Sequence, residues 1–571
     1  MARVSLLGGT YLARSIIASA QRCVNLYPEK NPQDSEAPYT HYPTPGLKHL
    51  LNPLTPGVGR GLYTATNGEL YYVCGQTVYF IASNFVQTAL GNLSAPKTTP
   101  VSMVDNGQVL VIVDGSPSGY AIDLTSNTFG TITDPNFLGA DSVDYVDTFF
   151  VFNQPGTRNW YSSLSNISFA ALCTNPGRPQ AGAITSGGSG YTNGTYLATA
   201  LTGGTGTGAT ADITVAGNIV TVVTLDNTGL GYTAGDALGA SIPGGSGFEF
   251  TITQIFPAGF DPTWVAQKTG FPDQISTLLC IHREIWIFGI VKTTEVWYDA
   301  GGALFPFAII PGVFIEHGCI AKYSATKHDL LVFWLSIDAA GRGTVYMGQG
   351  YAAKKISTPA VAFAFANYST LVDAIGMVYK VGDHIFYVLS FPTADATWVY
   401  DVSEGMWHEL SWLDPIAGVE HRHRMNCVAF AYEKNICADW QNGTLYQLDI
   451  NTLSDFGGAI VRRRGFPHLM GESGGRVTYD MFRADMECGN GVPEDPTKQP
   501  QLTLRVSDTR GRTWWNPPTQ SVGAQGMYYV QPQWRQLGLA RDRVFELTWS
   551  DDVVTALNGA FIDITKTEGG T

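Results

Sequence analysis

The sequence predicts an all-β protein: a six- or seven-bladed β-propeller with an inserted small β module and a C-terminal β-sandwich-like domain. The main observation is a blade hairpin that recurs about seven times, in which an aromatic-rich apolar strand is followed by a turn and a strand of the form aromatic-x-apolar-(Asp). Such runs, bounded by Gly, Pro, Asn and Asp and repeated roughly every 40 to 55 residues, are typical of propeller blades. The copies are 69–81, 108–124, 148–162, 284–299, 329–347, 384–401 and 435–449.

The composition favours the same fold class. Charged residues make up 14% of the chain, against roughly 25% in ordinary soluble proteins, while Gly (64) and Pro (30) are abundant. Helices carry many charged residues on their exposed faces, so this scarcity indicates a β-rich chain. The net charge of −14 argues against tight binding of nucleic acid, because proteins that hold phosphates concentrate Lys and Arg.

The cysteines and the N-terminal sequence indicate a protein made in a reducing compartment. None of the eight cysteines forms a CxxC pair, which predicts free thiols and neither a zinc site nor a disulfide framework. The N-terminal sequence lacks the features of a signal peptide, and no apolar run approaches the length of about eighteen residues needed to span a bilayer. We therefore expect maturation in the cytoplasm and no membrane insertion.

Residues 1–59 are predicted to form an extended arm that lies across a neighbouring surface. Six prolines between positions 28 and 53 oppose helix formation and central-strand pairing there. The propeller is predicted to occupy 60–177 and 257–454, on either side of an insert.

Residues 178–256 are predicted to form that inserted Gly/Thr-rich β module. The segment 188–194 (GSGYTNG) recurs 41 residues later as 229–235 (GLGYTAG), and each copy is followed by a Gly-rich turn and an alternating strand. Two matched β units in one loop predict a small autonomous domain, since loop tips tolerate inserted domains. A low-complexity linker is the alternative.

Residues 455–571 are predicted to form the C-terminal β domain. The blade hairpin stops after 449, and five alternating segments with polar turns follow. This pattern predicts a β-sandwich or a sheet packed on the propeller. The segments are 476–486, 501–507, 526–537, 544–550 and 560–564.

One turn resembles the Asp-box of sialidase-type propellers, S-x-D-x-G-x-T-W, with Thr509 at the third position in place of the Asp. In such a turn Gly permits the tight bend, the acid caps backbone N–H groups and Trp packs underneath, so the motif predicts a structural clamp. A glycosidase would also need three clustered arginines and a Tyr/Glu pair, which the sequence does not reveal. The clamp residues are Ser507, Asp508, Gly511, Thr513 and Trp514.

No other motif predicts a catalytic, cofactor or metal site. His421 and His423 would share one face of a strand, but a metal needs a further ligand, so a solvated strand or loop is the interpretation. The basic run 462–464 suits an interface or a solvent-facing strand better than a phosphate site. The glycine-rich segments lack the Lys-Ser/Thr of a phosphate-binding loop, and no Gly-x-Ser-x-Gly elbow is present.

Two stretches carry a family resemblance. The N-terminal one, 15–29, contains Arg22, Asn25, Tyr27, Pro28 and Glu29, and the C-terminal one, 534–563, contains Trp534, Gly538, Arg541, Arg543 and Phe545. They resemble the packaged-DNA stabilisation proteins of short-tailed bacteriophages, also called tail nozzle or tail hub proteins. The resemblance covers most of the chain except the insert, whose repeats are similar to small decoration modules of phage tail proteins.

The resemblance implies a structural virion protein of the phage tail, assembled in the host bacterial cytoplasm, with no enzymatic activity and no cofactor. Its copies would form a homohexameric ring below the portal and the head-to-tail adaptor protein. The ring would continue the DNA channel, retain the packaged genome and attach tail fibre, spike or needle proteins. Double-stranded DNA would pass without specific binding, and acidic residues facing the channel would repel its phosphates.

Two other function classes remain open from the sequence. A glycan-binding receptor-recognition tail protein is suggested by the insert and the many aromatic residues. A sialidase-like glycosidase is suggested by the Asp-box-like turn. The insert itself is compatible with docking a fibre, binding a host glycan or decorating the surface.

Overall fold

Seven four-stranded antiparallel blades stand around one axis in the computed structural model, which describes residues 2–566 apart from 5–7, 16, 34, 95, 175–176, 257–258, 303, 471–473 and 493–494. The innermost strands of successive blades lie side by side around the circle, and the last lies against the first. The predicted all-β propeller is confirmed, and its blade number is seven.

Each recurring hairpin forms the second and third strands of one blade. Blade one consists of Gly59–Thr64, Leu70–Cys74, Thr77–Ile81 and Gln87–Asn92. Blade two consists of Ser102–Asp105, Val109–Val113, Gly119–Asp123 and Thr128–Thr131. Blade three consists of Val143–Val146, Phe149–Asn153, Asn159–Ser163 and Phe260–Gln267. The insert therefore leaves the propeller between the third and fourth strands of blade three.

The next three blades follow the same order. Blade four consists of Ile275–Ile281, Glu284–Gly289, Thr294–Asp299 and Phe307–Ile315. Blade five consists of Thr326–His328, Leu331–Ile337, Gly343–Gln349 and Ala352–Lys355. Blade six consists of Ile375–Val381, His384–Phe391, Ala396–Asp401 and Met406–Leu413.

The Asp that ends the blade hairpin caps the turn that follows it. Asp123, Asp401 and Asp449 each accept, through Oδ1, the N–H of the residue two positions later, at 2.8, 2.9 and 3.1 Å. This Asx turn satisfies a backbone donor where the chain turns toward the outer part of the blade.

Blade seven is completed by a strand from the other end of the propeller sequence. Its inner strands are Met425–Ala431, Lys434–Asp439 and Leu445–Asp449, and its outer strand is Gly46–Leu51. Leu47 is fully buried and lies opposite Leu448. Residues 46–51, which the sequence assigned to an extended arm, therefore close the propeller.

The rest of the described N-terminal segment pairs with the C-terminal region to form a β-sandwich, which also differs from the predicted arm. One sheet contains Cys23–Val24, Arg462–Gly465, Asp542–Trp549, Gln501–Ser507 and Gln520–Ser521, with Leu469–Met470 beside it. The other contains Gln533–Ala540, Val477–Met486, Leu557–Lys566, Tyr39–Pro43 and Leu26–Lys30, with Ala2–Val4 beside it. Leu26, Leu504, Phe482 and Phe545 from both sheets share one buried core.

The insert is a separate, nearly closed six-stranded sheet with its own core. Its strands, in sheet order, are Pro179–Ser189, Ser246–Ile255, Ala237–Ala240, Gly194–Gly203, Thr207–Ala216 and Ile219–Leu230, and the first and last lie next to each other. The two sequence repeats are interlocked: Tyr191 packs on Gly245 of the second copy, and Tyr232 packs on Gly206 of the first. Both tyrosines are buried, and neither copy completes a core alone.

Helices are few and short in the described residues: Phe169–Cys173, Pro359–Phe365 and the 3-10 turn Lys322–Ser324. None of them has the length and apolarity to cross a membrane. The remaining short strands are Tyr11–Leu12, Ala20–Gln21, Glu420–Arg422, Ser454–Asp455 and Gly458–Ala459.

We expect the insert to fold alone. Its ends meet, because the Phe256 N–H donates to the Arg178 carbonyl at 2.9 Å. A fragment spanning 177–256 should give a dispersed amide NMR spectrum and a cooperative thermal transition. The double variant Tyr191→Ala/Tyr232→Ala should be unfolded, since removing a buried aromatic side chain costs about 3–5 kcal/mol. A disordered wild-type fragment would contradict this.

Candidate functional site

The family-like N-terminal stretch joins the propeller to the β-sandwich. Cys23–Val24 pairs in parallel with the outer strand of blade six and antiparallel with Arg462–Gly465 of the sandwich. The two bodies therefore share one eleven-stranded sheet. Backbone hydrogen bonds cross the junction directly, so propeller and sandwich are held together as neighbouring strands are.

Asn25 bonds to both bodies at once. Its Nδ2 donates to the carbonyl oxygens of Ser411 (3.1 Å) and Val461 (2.8 Å), and its Oδ1 accepts the Ser411 N–H (2.9 Å). Its φ is +53°, in the left-handed region that Asn tolerates better than most residues. A residue with both an amide side chain and this backbone conformation is needed here.

Arg22 forms a bidentate ion pair with Glu409 of blade six. The Nε–Oε1 distance is 3.1 Å and the Nη2–Oε2 distance is 2.7 Å. Burial opposes the charge of Arg22, but the Glu409 carboxylate raises its pKa above the ordinary value. The Arg22 guanidinium therefore remains charged, and its paired hydrogen bonds orient the strand that carries it.

The other three residues of the stretch pack beside blade six. The rings of Tyr27 and His384 are 5.1 Å apart, and Glu29 Oε2 is 3.6 Å from His384 Nε2. A hydrogen bond to Asp401 raises the pKa of His384, which favours the charged form beside both carboxylates. Pro28 lies in the strand at the edge of its sheet, the position where a missing N–H is tolerated.

The three consecutive arginines at the start of the sandwich also lie in this junction. Arg464 is fully buried and donates to the carbonyl oxygens of Gly8 (3.0 Å) and Gly9 (3.1 Å). Arg463 is paired with Glu420 at 2.5 Å. Burial lowers the pKa of Arg464, and its carbonyl partners offset the cost of that burial. These arginines serve an interface within the chain.

The Asp-box-like turn folds as a hairpin clamp. Ser507 Oγ accepts the N–H of Gly511 at 2.7 Å, and Trp514 Nε1 donates to the Gly511 carbonyl at 3.1 Å. Gly511 has a φ of +88°, which a side chain would strain. Thr509, where the Asp-box has Asp, accepts the Thr513 N–H through Oγ1 at 2.7 Å. A hydroxyl thus replaces the carboxylate as the acceptor in the turn.

Asp508 connects this turn to the C-terminal family-like stretch. Its Oδ1 lies 2.6 Å from Nε of Arg543, a fully buried side chain that also lies over the ring of Tyr479. Phe545 stacks on Phe482 in the sandwich core with ring centroids 4.6 Å apart. The Asp-box-like turn and the C-terminal family-like stretch therefore form one cluster.

The remaining C-terminal residues have different environments. Trp534 is buried and donates from Nε1 to the Pro518 carbonyl at 2.7 Å. Gly538 has a φ of +85° next to a β-bulge, and Arg541 is exposed. Most of this stretch therefore stabilises the sandwich.

His421 and His423 do not form a metal pair. His421 Nδ1 lies 2.7 Å from Asp395 Oδ2, and burial lowers the pKa of His423 to about 4. The burial of His423 differs from the solvated strand expected from the sequence. Within the described ranges, no group of three or more His, Cys, Asp or Glu side chains is placed to hold a metal ion. All eight cysteines are free thiols.

The propeller axis contains a cavity of about 440 Å³ lined by the innermost strands. Two ion pairs join blades three and five beside it: Lys322 Nζ lies 2.7 Å from Asp141 Oδ2, and Lys327 Nζ lies 2.5 Å from Asp144 Oδ2. Burial opposes the charge of Lys322, but Tyr323 and Asp141 raise its pKa. Both lysines are thus engaged in ion pairs with carboxylates of the propeller itself.

We expect His408 to make the junction acid-sensitive. It is fully buried in blade six, its ring nitrogens have no partner in the described chain, and burial lowers its pKa to about 4. The unfolded chain therefore binds more protons than the folded chain between about pH 6.5 and pH 4, so stability falls as the pH falls. By pH 4.5 the free energy of unfolding should have fallen by about 2.5 kcal/mol. Urea unfolding at pH 7 and pH 4.5 measures the decrease in the free energy of unfolding between the two pH values. This decrease should be smaller for His408→Phe than for wild type, and equal decreases would contradict the prediction.

The comparison with known protein families agrees with this geometry. The family described as "Bacteriophage P22 Gp10, beta-propeller" (Phage_stabilise) matches residues 2–171 and 245–453, more than half of the chain. No curated protein matches the chain. The crystal structure of the computationally designed Ika8 protein is similar at 10% identity over 70% of this chain and 99% of that chain, with a TM-score of 0.31.

Proposed function

Because the chain belongs to the bacteriophage P22 Gp10 β-propeller family, and is therefore a structural protein of a phage tail, we propose that it forms the tail nozzle or hub. In this proposal six copies close into a ring below the portal and the head-to-tail adaptor protein, after synthesis in the host cytoplasm. The ring continues the DNA channel, retains the packaged genome until infection and carries tail fibres, spikes or needle proteins.

The observation that carries the proposal is the sheet shared by the propeller and the sandwich. A wall around pressurised DNA needs subunits that do not bend between their parts. Here Asn25 and the Arg22–Glu409 pair fasten the two bodies beside a continuous ladder of backbone hydrogen bonds. This construction supports a rigid wall element.

The channel must lie between copies rather than through one propeller. An axial cavity of about 440 Å³, taken as a sphere, is ~9 Å across, whereas the major groove of duplex DNA alone is about 12 Å wide. The two Lys–Asp pairs beside the cavity join blades across this space. A ring of several copies is therefore required for the proposed role.

The charge of the chain supports passage of DNA without specific binding. A six-fold ring would carry 84 net negative charges, fourteen per copy, and residues 98–157 and 179–267 contain no Lys or Arg. Carboxylates facing the lumen would repel phosphates and leave the duplex free to slide.

The alternative functions receive less support. A glycan-binding insert would present aromatic platforms, but Tyr191 and Tyr232 are buried in its core. The Asp-box-like turn is engaged in hydrogen bonds and in the Asp508–Arg543 pair, which is a structural use.

Native mass spectrometry tests the ring. We expect a species of about 370 kDa, six times the 61.6 kDa chain, alone or on addition of the adaptor protein. Phage particles that lack the protein should lose their DNA after packaging. Particles that keep their DNA but fail to adsorb to the host would indicate the receptor-recognition function instead.

A further inference from the structure

An apolar groove beside the β-sandwich is not explained by contacts within the chain. It lies between the N-terminal hairpin Tyr11–Leu12/Ala20–Gln21 and the helix Pro359–Phe365, and its volume is about 780 Å³. Ile17 is 48% exposed and Phe363 is 38% exposed at its surface. Volumes of this size are typical of binding sites, and clustered exposed apolar side chains mark interaction surfaces.

Two unpaired arginines flank this groove. Arg14 and Arg512 line it, both are exposed, and their side chains make no hydrogen bond or ion pair in the described part of the chain. The neighbouring Arg510, by contrast, is paired with Asp542. Guanidinium groups beside an apolar surface suit a partner that is both apolar and acidic.

The N-terminal stretch contributes both to the junction and to the groove. Arg22 and Asn25 are engaged at the junction with blade six. Ser15 and Ile17, in the same stretch, instead line the groove and remain exposed.

The insert is the complementary surface of the same chain. Residues 178–256 contain four acidic residues against one basic residue, Arg178. Asp226 and Glu249 are exposed, and so are the apolar side chains of Leu197 (72%) and Val222 (52%). The insert therefore combines negative charge with exposed apolar surface.

Within one chain these two surfaces lie on different blades. The insert leaves blade three, whereas the groove helix connects blades five and six. A seven-bladed propeller turns about 51° per blade, so the two lie about 130° apart around the axis. If the propeller axis is parallel to the ring axis, this is close to the angle of about 120° between the two neighbours of a subunit in a six-fold ring.

We infer that the insert of each copy docks into the Arg14/Arg512 groove of the next copy. This inference rests on the proposed ring and assigns the insert as the contact that links its subunits. Such a head-to-tail interface uses two different surfaces per subunit and closes by rotation.

Two full-length variants test the inference. One is Arg14→Glu/Arg512→Glu, and the other replaces residues 178–256 with a short Gly-Ser linker. By native mass spectrometry and sedimentation, each should associate at least tenfold more weakly than wild type. The arginine variant should keep the wild-type circular dichroism spectrum, and the deletion variant should keep a melting temperature within a few degrees of wild type. Mixed together, they should form a 1:1 dimer and no ring, because only one intact insert and one intact groove remain. The control Arg535→Glu/Arg541→Glu, at exposed sites outside the groove, should form wild-type rings.

The outcomes separate the two proposals. A wild-type chain that forms no ring, alone or with the adaptor protein, would overturn both. Rings that persist in either variant would overturn the insert-to-groove contact and leave the proposed function intact. Two monomeric variants that fail to combine on mixing would also overturn the contact.

Discussion

A chain that lacks residues 1–51 is expected to yield no folded monomer. The truncation removes Gly46–Leu51, the outer strand of blade seven, and exposes the strand edge of Leu445–Asp449. It also removes Cys23–Val24 from the shared sheet and the strands Leu26–Lys30 and Tyr39–Pro43 from the second sandwich sheet. Both bodies lose parts of their cores and gain unpaired edges, so aggregation should replace folding.

Size-exclusion chromatography and thermal unfolding followed by circular dichroism measure this effect. The control is deletion of 178–256, which removes more residues but no strand of a blade or of the sandwich. The control should remain folded, with a melting temperature within a few degrees of wild type. A truncated chain that melts cooperatively near the wild-type temperature would show that the closing strand is dispensable.

The second large effect is expected at Asn25. Asn25→Ala should destabilise the protein by about 3–5 kcal/mol, because it leaves the carbonyls of Ser411 and Val461 without a donor and places Ala at a positive φ. Asn25→Gly should cost less, since Gly adopts this φ freely. Asn25→Asp should cost at least as much as Ala, because a carboxylate would face two carbonyl oxygens. Urea denaturation at pH 7 ranks the three variants.

Asn166 provides a matched control for the cost of placing Ala at a positive φ. Its φ is +51°, it is exposed, and its side chain makes no hydrogen bond in the described structure. Asn166→Ala should therefore cost about 1 kcal/mol, the strain alone. If Asn25→Ala costs no more than Asn166→Ala, the hydrogen bonds across the junction contribute little to stability.

The propeller could be predicted because its information is local. Each blade hairpin contains two strands, a turn and, in most copies, an Asp whose carboxylate caps the following turn, all within about fifteen residues. The fourth strands are exposed and irregular in pattern, as in Gln87–Asn92, so the count of blades came from the hairpins alone. The interlocked tyrosines of the insert were likewise visible as a repeat.

The N-terminal segment could not be predicted in the same way. Its prolines indicated an arm, but Pro28 lies in an edge strand where no N–H is needed. The partners of this segment are almost 400 residues away: Asn25 bonds to Ser411, and Leu47 lies opposite Leu448. Pairing across such a distance leaves no periodic signal in either strand. The motif residues were therefore identified from the sequence, but what they contact was not.

The closure of blade seven has a consequence for the order of events during translation. Gly46–Leu51 leaves the ribosome early, whereas its partner Leu445–Asp449 follows nearly 400 residues later. At roughly 5–20 residues per second, the first strand waits roughly 20–80 seconds for its partner. A chain that stops short of the last blade remains an open arc with two unpaired edges. The propeller therefore closes only after the ribosome has synthesised blade seven, and an incomplete chain cannot adopt the closed shape that assembly requires.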